Sequence, residues 1–374
     1  MGGVLTPQPP LSRIPGDVVA LADYEARAPA HLSPQAWAYF HGAAADELTV
    51  ADNQAAFRRL KLLPRVLCDL HPASTASTLL GQTLPYPILL APVAHQALAH
   101  EHGELATLLA AGAMGATMVV STQASIELAQ LARQAAAPLW FQLYIQPDRA
   151  FTENLVRQAE QAGYRALVVT VDAPLNGVRN REQRAGFQLP PTLREPNLQG
   201  MQGPRAHQAP AGSSPVFGGG LLASAPTWRD IAWLRRLTPL PLVLKGILSP
   251  ADARRAAELG ADAIIVSNHG GRTLDTLPAT LDVLPTVRAA LPETIPVMLD
   301  GGIRRGTDIL KALALGASTV LIGRPYLYAL ATAGAPGVAH VLHILRAELE
   351  TAMALTGCAT LADISTECLW RPGS

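Results

Sequence analysis

Pro296–Gly323, PVMLDGGIRRGTDILKALALGASTVLIG, is the stretch that decides the fold. It opens on a short apolar run that ends in a carboxylate, Pro296–Asp300, and turns through glycines. It then continues as TDILKALAL, whose apolar residues recur at helical spacing. Gly316 stops the helix, and a second β-branched run, Thr319–Ile322, follows. A strand, a helix and another strand in this order form a βα unit, because a helical crossover is how parallel neighbours are joined.

The same rhythm runs back through the chain. Ile88–Ala91, Thr117–Ser121, Leu139–Leu143, Ala166–Val171, Pro241–Lys245 and Ala263–Ser267 are short apolar runs bounded by turn residues, with Ala-, Leu- and Arg-rich helical stretches between them. With the two runs above they make eight strands in series. Most are continuous in hydrophobicity, so both faces are buried, which predicts a closed (β/α)8 barrel of the TIM type over an open sheet. Ser249-Pro250 opens one intervening helix and Gly260 closes it. Two helical segments precede the first strand, and Gly337–Thr356 predicts a long helix after the last; both are expected to cap the barrel. The chain is expected to be one domain over residues 1–374, with residues 1–16 as a flexible tail. Residues 190–226 lack periodicity and are rich in Gly, Pro, Gln and Ser, so a long loop follows strand four, either an active-site lid or an unstructured insertion.

Composition narrows the function. Of 374 residues, 49% are hydrophobic and 16% charged, the profile of a well-buried globular protein. Basic and acidic residues number 29 each, so there is no net field to attract nucleic acid or an anionic membrane, and an anionic ligand must be met by placed cations. Cys68, Cys358 and Cys368 have no metal-ligand spacing, which argues against a metal site or a disulfide framework. The first residues lack the pattern of a secretory signal, and no run of about 18 apolar residues stands out. A cytoplasmic protein with no membrane partner is expected.

Strand C-termini converge on one face of such a barrel, so the polar residues there form a single list. It contains Gln142 and Tyr144, Thr170, Asp172 and Arg179, Lys245, then Ser267, Asn268, His269 and Arg272, Asp300, and Gly323-Arg324. His269 beside Asp172 can be an oriented base; alone, it is equally a rim histidine. Arg179 and Arg272 can grip a carboxylate through paired guanidinium bonds, or lie solvated in loops. The glycine-rich turns after strands seven and eight, each followed by arginine, suit a phosphate. Lys245 fits a Schiff-base nucleophile, an ion-pair partner or a cation beside an anionic cofactor. Rossmann and Walker motifs are missing from the strand-helix contexts they need, which disfavours NAD and ATP.

Assembled in this way, the sequence resembles the FMN-dependent 2-hydroxy acid oxidase and dehydrogenase family, which includes glycolate oxidase, lactate oxidase, mandelate dehydrogenase and the flavin domain of flavocytochrome b2. The likeness runs from Asp17 to Ile364. It is carried by SNHGGRTLD (Ser267–Asp275), DGGIRRGTDILKALALGA (Asp300–Ala317), Tyr39-Phe40 with Asp46-Glu47, APVA at Ala91, WFQLY at Trp140, TVDAP at Thr170 and LKGI at Leu244. The resemblance implies oxidation of an (S)-2-hydroxy acid to the 2-oxo acid, electrons passing to FMN and then to oxygen or another acceptor. It implies His269 as base assisted by Asp172, with Tyr39, Arg179 and Arg272 on the carboxylate, Tyr144 on the hydroxyl and Gln123 by the substrate side chain. For FMN it implies Pro92, Val93 and Ala94 beside the ring, and Ser121, Gln142, Thr170, Lys245 and Ser267 around it. Asp300, Gly302, Arg304, Gly323 and Arg324 would hold ribityl and phosphate. A homotetramer or larger ring is expected. Gln123 stands where glycolate oxidase has tryptophan, and its amide can meet a polar substrate side chain or equally fold back onto the loop; His95 and Val178 are unusual at their positions, and Ala43 replaces a frequent glycine. The competing expectation is a non-redox phosphate-binding lyase or isomerase.

Overall fold

The computed structural model describes residues 6–201, 212–217 and 221–370. Eight parallel strands close on themselves: β1 (Ile88–Leu90), β2 (Met118–Ser121), β3 (Leu139–Leu143), β4 (Leu167–Thr170), β5 (Leu242–Ile247), β6 (Ala263–Val266), β7 (Val297–Asp300) and β8 (Thr319–Ile322). Each pairs with the next, and β8 returns to β1 through Val320 opposite Ile88 and Ile322 opposite Leu90. All eight predicted runs are strands. The ends differ by a residue or two, the largest change being in β5, which runs on to Ile247 with an irregular register between Lys245 and Ile247.

Successive side chains of a strand point to opposite faces, and that alternation sorts the core into two layers. Leu89, Val119, Trp140, Val168, Val243, Ile265, Met298 and Leu321 fill the barrel interior. Their neighbours Met118, Val120, Phe141, Val169, Leu244, Ile264, Val266, Leu299 and Ile322 face the helical shell. Both layers are closed to water, which explains why the strands read as continuous apolar runs.

The helices begin where local chemistry lets them. Ser249 Oγ accepts from the N–H groups of Ala251 and Asp252 ahead of Pro250–Glu258, and Asp148 does the same for Arg149–Gln161. The C-terminal helix starts earlier than the sequence predicts, at Arg324 directly after β8, and runs to Leu355 with a break at Ala333-Gly334. Gly334 adopts φ 57° there, so the apolar stretch on either side bends around the barrel. The helix is long and apolar enough to span a bilayer, but 72% of its most apolar window is buried within the protein.

The segment before β1 holds three helices in place of the predicted two: α1 (Leu21–His31), α2 (Pro34–His41) and α3 (Leu48–Arg59). A hairpin follows, Ser77–Leu79 against Gln82–Leu84, which the sequence does not predict. Leu79 and Leu84 pack on the interior layer, and Trp140 Nε1 donates to Gln82 Oε1 at 3.2 Å, so the hairpin stoppers the barrel at the strand N-termini. Residues 8–11 differ from the expected free tail, since Gln8 N–H bonds Ala30 O and Leu11 N–H bonds Thr332 O. The expected loop at 190–226 is described up to residue 201, at 212–217 and from 221; the rest lies outside the described residues.

Candidate active site

Strand alternation also builds the site. Two residues beyond each interior apolar side chain the chain again faces inward, and there stand Ser121, Gln142, Thr170, Lys245, Ser267, Asp300 and Gly323. These positions form a polar layer on an apolar floor. Ser121 Oγ donates to Gln142 Oε1 at 3.2 Å, and Gln142 Nε2 donates to Thr170 Oγ1 at 3.1 Å. Across the ring, Lys245 Nζ donates to Ser267 Oγ at 2.9 Å and pairs with Asp300 Oδ2 at 3.2 Å. Burial would depress the Lys245 pKa, but Asp300, Asp172 and Tyr144 outweigh it and raise the value, so the ammonium is held charged. Its ion pair leaves no free amine for Schiff-base chemistry.

His269 and Asp172 meet above this layer. His269 Nδ1 lies 2.8 Å from Asp172 Oδ1, and Ser267 Oγ accepts from the His269 backbone N–H at 3.0 Å. The histidine backbone is left-handed, φ 57°, a costly conformation for a residue with a β-carbon, and it turns the ring back over the barrel mouth. Burial lowers the imidazole pKa below its ordinary 6.5 against the opposing pull of Asp172. The neutral ring therefore donates Nδ1–H to the carboxylate and keeps the Nε2 lone pair. Burial likewise pushes the Asp172 carboxyl up, yet His269 and Lys245 together bring it below the usual 3.8.

Gly246 makes this meeting possible. Its φ is +114°, and a β-carbon there would sit 2.5 Å from both Cβ and Cγ of Asp172. A glycine within a buried strand is a signal of close approach, and here the object approached is the carboxylate that orients the base.

Both predicted arginines point into the same space, with a partner that the sequence does not reveal. Glu182 Oε1 accepts from Arg272 Nη2 at 3.1 Å and from Arg179 Nη1 at 3.4 Å. Arg272 Nη1 is spent on the carbonyls of Tyr39 and Gly42, and its guanidinium lies 5.1 Å from the Tyr39 ring centre. Glu182 thus neutralises one of two clustered cations and fixes the spacing of the pair. Tyr144 is brought to the same mouth, its N–H bonded to Thr122 Oγ1, and burial raises its phenol to about 12, keeping it a donor.

Two predicted phosphate residues also make contacts within the protein. Arg324 donates to the carbonyls of Phe40, Gly42 and Gly270, so its side chain ties α2 to the His269 turn; burial lowers it to about 10. A β-carbon on Gly302 would meet Asn53 O at 2.2 Å, so only glycine lets α3 approach this turn. The Gly323 and Arg324 N–H groups, at the start of a helix, remain suited to an anion. Space is open there, since a β-carbon on Gly323 would find only Ala91 and Val93, no nearer than 3.9 Å. Asp300 Oδ1 is buried without a hydrogen-bond partner, and Arg304 Nε, likewise without a hydrogen bond, lies 3.5 Å from Glu25 Oε2. Pro92, Val93 and Ala94, half-buried, run along the same mouth. An acceptor, a cation and open backbone N–H groups beside a polar ring fit a phosphorylated cofactor with hydroxyls and a heterocycle.

Gln123 does not point into empty space: its Nε2 donates to Glu195 Oε1 at 3.2 Å, drawing it to the loop after β4. Among the described residues no cluster of His, Cys, Asp or Glu could hold a metal ion. Cys358 and Cys368 are buried with sulfurs 3.5 Å apart, and Cys68 is half-buried; all three are free thiols.

Comparison with known proteins agrees with this geometry. Residues 28–371 match the model of the FMN-dependent dehydrogenase family. The chain is 50% identical over 357 residues to an L-lactate oxidase of Nostoc sp., covering 94% of this chain and 98% of that protein. It is 44% identical over 345 residues to the 2-hydroxyacid oxidase 1 of Homo sapiens, covering 91% and 93%. A solved mandelate oxidase with (S)-2-phenylpropionate superposes with a TM-score of 0.84 at 39% identity, covering 94% of this chain and 98% of that one.

Proposed function

The chain belongs to the FMN-dependent dehydrogenase family, and from that premise we propose that it oxidises small 2-hydroxy acids to 2-oxo acids. The observation that carries the proposal is the His269–Asp172 pair, 2.8 Å apart, with the Arg272 guanidinium near enough to act on the imidazole. Oxidation of a carbinol removes one hydrogen from oxygen and one from the α-carbon, and one of the two leaves as a proton. His269 Nε2 takes that proton, and Asp172 stabilises the imidazolium that results. Arg179 and Arg272 bind the substrate carboxylate and so fix which face of the α-carbon meets the base. Tyr144 donates to the substrate oxygen as charge builds on it. When bound, FMN supplies the two-electron acceptor that this chemistry requires. Ser121, Gln142, Thr170, Lys245 and Ser267 would hold its ring and Asp300, Arg304 and the N–H groups of Gly323 and Arg324 its ribityl phosphate. Lys245, buried and paired with Asp300, would supply a positive charge beside it. The non-redox lyase reading lacks its nucleophile, because Lys245 is charged and paired.

The test is anaerobic mixing of the purified, flavin-loaded protein with a panel of 2-hydroxy acids while visible flavin absorbance is followed. Bleaching is expected with at least one acid, and His269→Ala should keep the flavin yet bleach about 10²–10⁴-fold more slowly. A variant that bleaches at the wild-type rate removes His269 as base; a wild-type protein that no acid bleaches removes the function.

A further inference from the structure

Beyond the carboxylate clamp lies a second group of polar side chains, on the side of the mouth formed by the ends of β1 and β2. Glu195 Oε1 receives Gln123 Nε2 at 3.2 Å and stands 3.6 Å from His95 Nε2. His95 is 3% exposed, its Nδ1 is buried without a partner, and its ring centre lies 5.9 Å from that of Tyr39, which itself lies against Arg272. The group is therefore one residue away from the carboxylate clamp. Thr122, next to Gln123 in sequence, holds the N–H of Tyr144 through its Oγ1 and so joins the group to the other wall of the site.

Glu195 belongs to the loop after β4, but it does not float there. Two residues on, Asn197 is buried, accepts from the Leu128 N–H at 2.9 Å and donates to Thr122 O at 3.3 Å. These bonds pin the loop to the end of β2 and aim the carboxylate inward. Its second oxygen, Oε2, accepts from no side chain among the described residues. Burial lowers the His95 pKa to about 4, so the imidazole is neutral and offers Glu195 no opposing charge. The group so made offers an acceptor to whatever lies against it.

We infer that Glu195, with Gln123 and His95, forms a subsite for a hydrogen-bond donor on the β-carbon of the substrate, so that the preferred acids carry a second hydroxyl: 2,3-dihydroxy acids. This inference rests on the proposed oxidation and names its substrate class. A methyl group set against this half-buried carboxylate would strip water from it and return no hydrogen bond, so an apolar analogue of equal size is disfavoured. A second carboxylate would be repelled by Glu195 for the same reason.

The experiment compares 2,3-dihydroxypropanoate with 2-hydroxybutanoate, which exchanges the distal hydroxyl for a methyl at equal size, as kcat/KM on one preparation of the flavin-loaded enzyme. The wild type is expected to favour the dihydroxy acid by at least about tenfold, the fold-change of a hydrogen bond to a charged group. Glu195→Leu should reduce that ratio by about tenfold or more, while Glu195→Gln, which keeps an acceptor, should retain most of it. A ratio internal to one protein is blind to partial unfolding, and flavin content checks the loading of each variant. A wild-type ratio at or below one, or a ratio unmoved in Glu195→Leu, overturns the inference alone. Failure of every 2-hydroxy acid to bleach the flavin overturns the oxidation and the subsite together.

Discussion

Replacing Gly246 with alanine puts a methyl group where Asp172 now lies. The added carbon would stand 2.5 Å from Cβ and Cγ of Asp172, and an ordinary contact begins near 3.4 Å, so the carboxylate must retreat by about 0.9 Å. Its bond to His269 is 2.8 Å long, and the same displacement takes it past the range of a hydrogen bond. The imidazole then loses the partner that holds its tautomer and stabilises its charged form. A misplacement of about 1 Å in a reacting constellation costs roughly 10²-fold, or about 2.7 kcal/mol of barrier. The assay is the rate of anaerobic flavin reduction at saturating 2-hydroxy acid. That rate should fall by this factor while KM changes little, because Arg179 and Arg272 are untouched. The φ of +114° brings its own strain, for which Gly163→Ala is the control: φ is +85° there and nothing lies within 4 Å of the new carbon. Gly163→Ala should lose stability through its φ alone and keep the rate, whereas Gly246→Ala should lose rate as well. A Gly246→Ala enzyme within threefold of the wild-type rate would show that the approach of Asp172 to the strand is not what orients the base.

Two further outcomes follow from charge. His269 must be neutral to accept a proton, and burial sets its pKa below 6.5, so kcat/KM should decline on the acid side only below that pH; a limb centred above 6.5 contradicts the buried, neutral imidazole. Asp275 caps α3 by accepting from the N–H groups of Asp46, Leu48 and Thr49, and Asp275→Ala should cost about 2–4 kcal/mol and lower Tm by roughly 3–6 °C. Although burial raises the Asp275 carboxyl, the bonds from Thr49 and Leu48 bring it below 3.8. Its contribution is therefore complete above that pH and is lost as pH falls through the lowered value, so thermal melts of wild type and variant should converge in acid.

How far the sequence discloses this molecule depends on whether a residue's role follows from its own strand. The barrel is legible because each strand is buried on both faces, so runs such as Ala263–Val266 appear as unbroken apolar blocks. The polar layer is legible for the same reason, as each member lies two residues beyond an interior side chain. Glu182 and Glu195 are not, because their partners come from elsewhere: Arg272 is 90 residues from Glu182, and Gln123 is 72 from Glu195. Neither glutamate lies in a periodic segment that would mark its face. The hairpin at Ser77–Leu84 escapes for a different reason, since strands of three residues are too short to show alternation. Arg324 shows what a motif leaves out. A glycine-arginine pair after β8 suggests an anion, and no local pattern records that Phe40, Gly42 and Gly270 will fold to present their carbonyls to the same guanidinium.

Among the described residues, Leu79 and Leu84 close the barrel at the end opposite the site. On the proposed function, the arriving acid and the departing oxo acid would then share one threshold, beside which Glu195 stands. A side chain at that rim would act twice, once on what is admitted and once on how soon the site is vacant again.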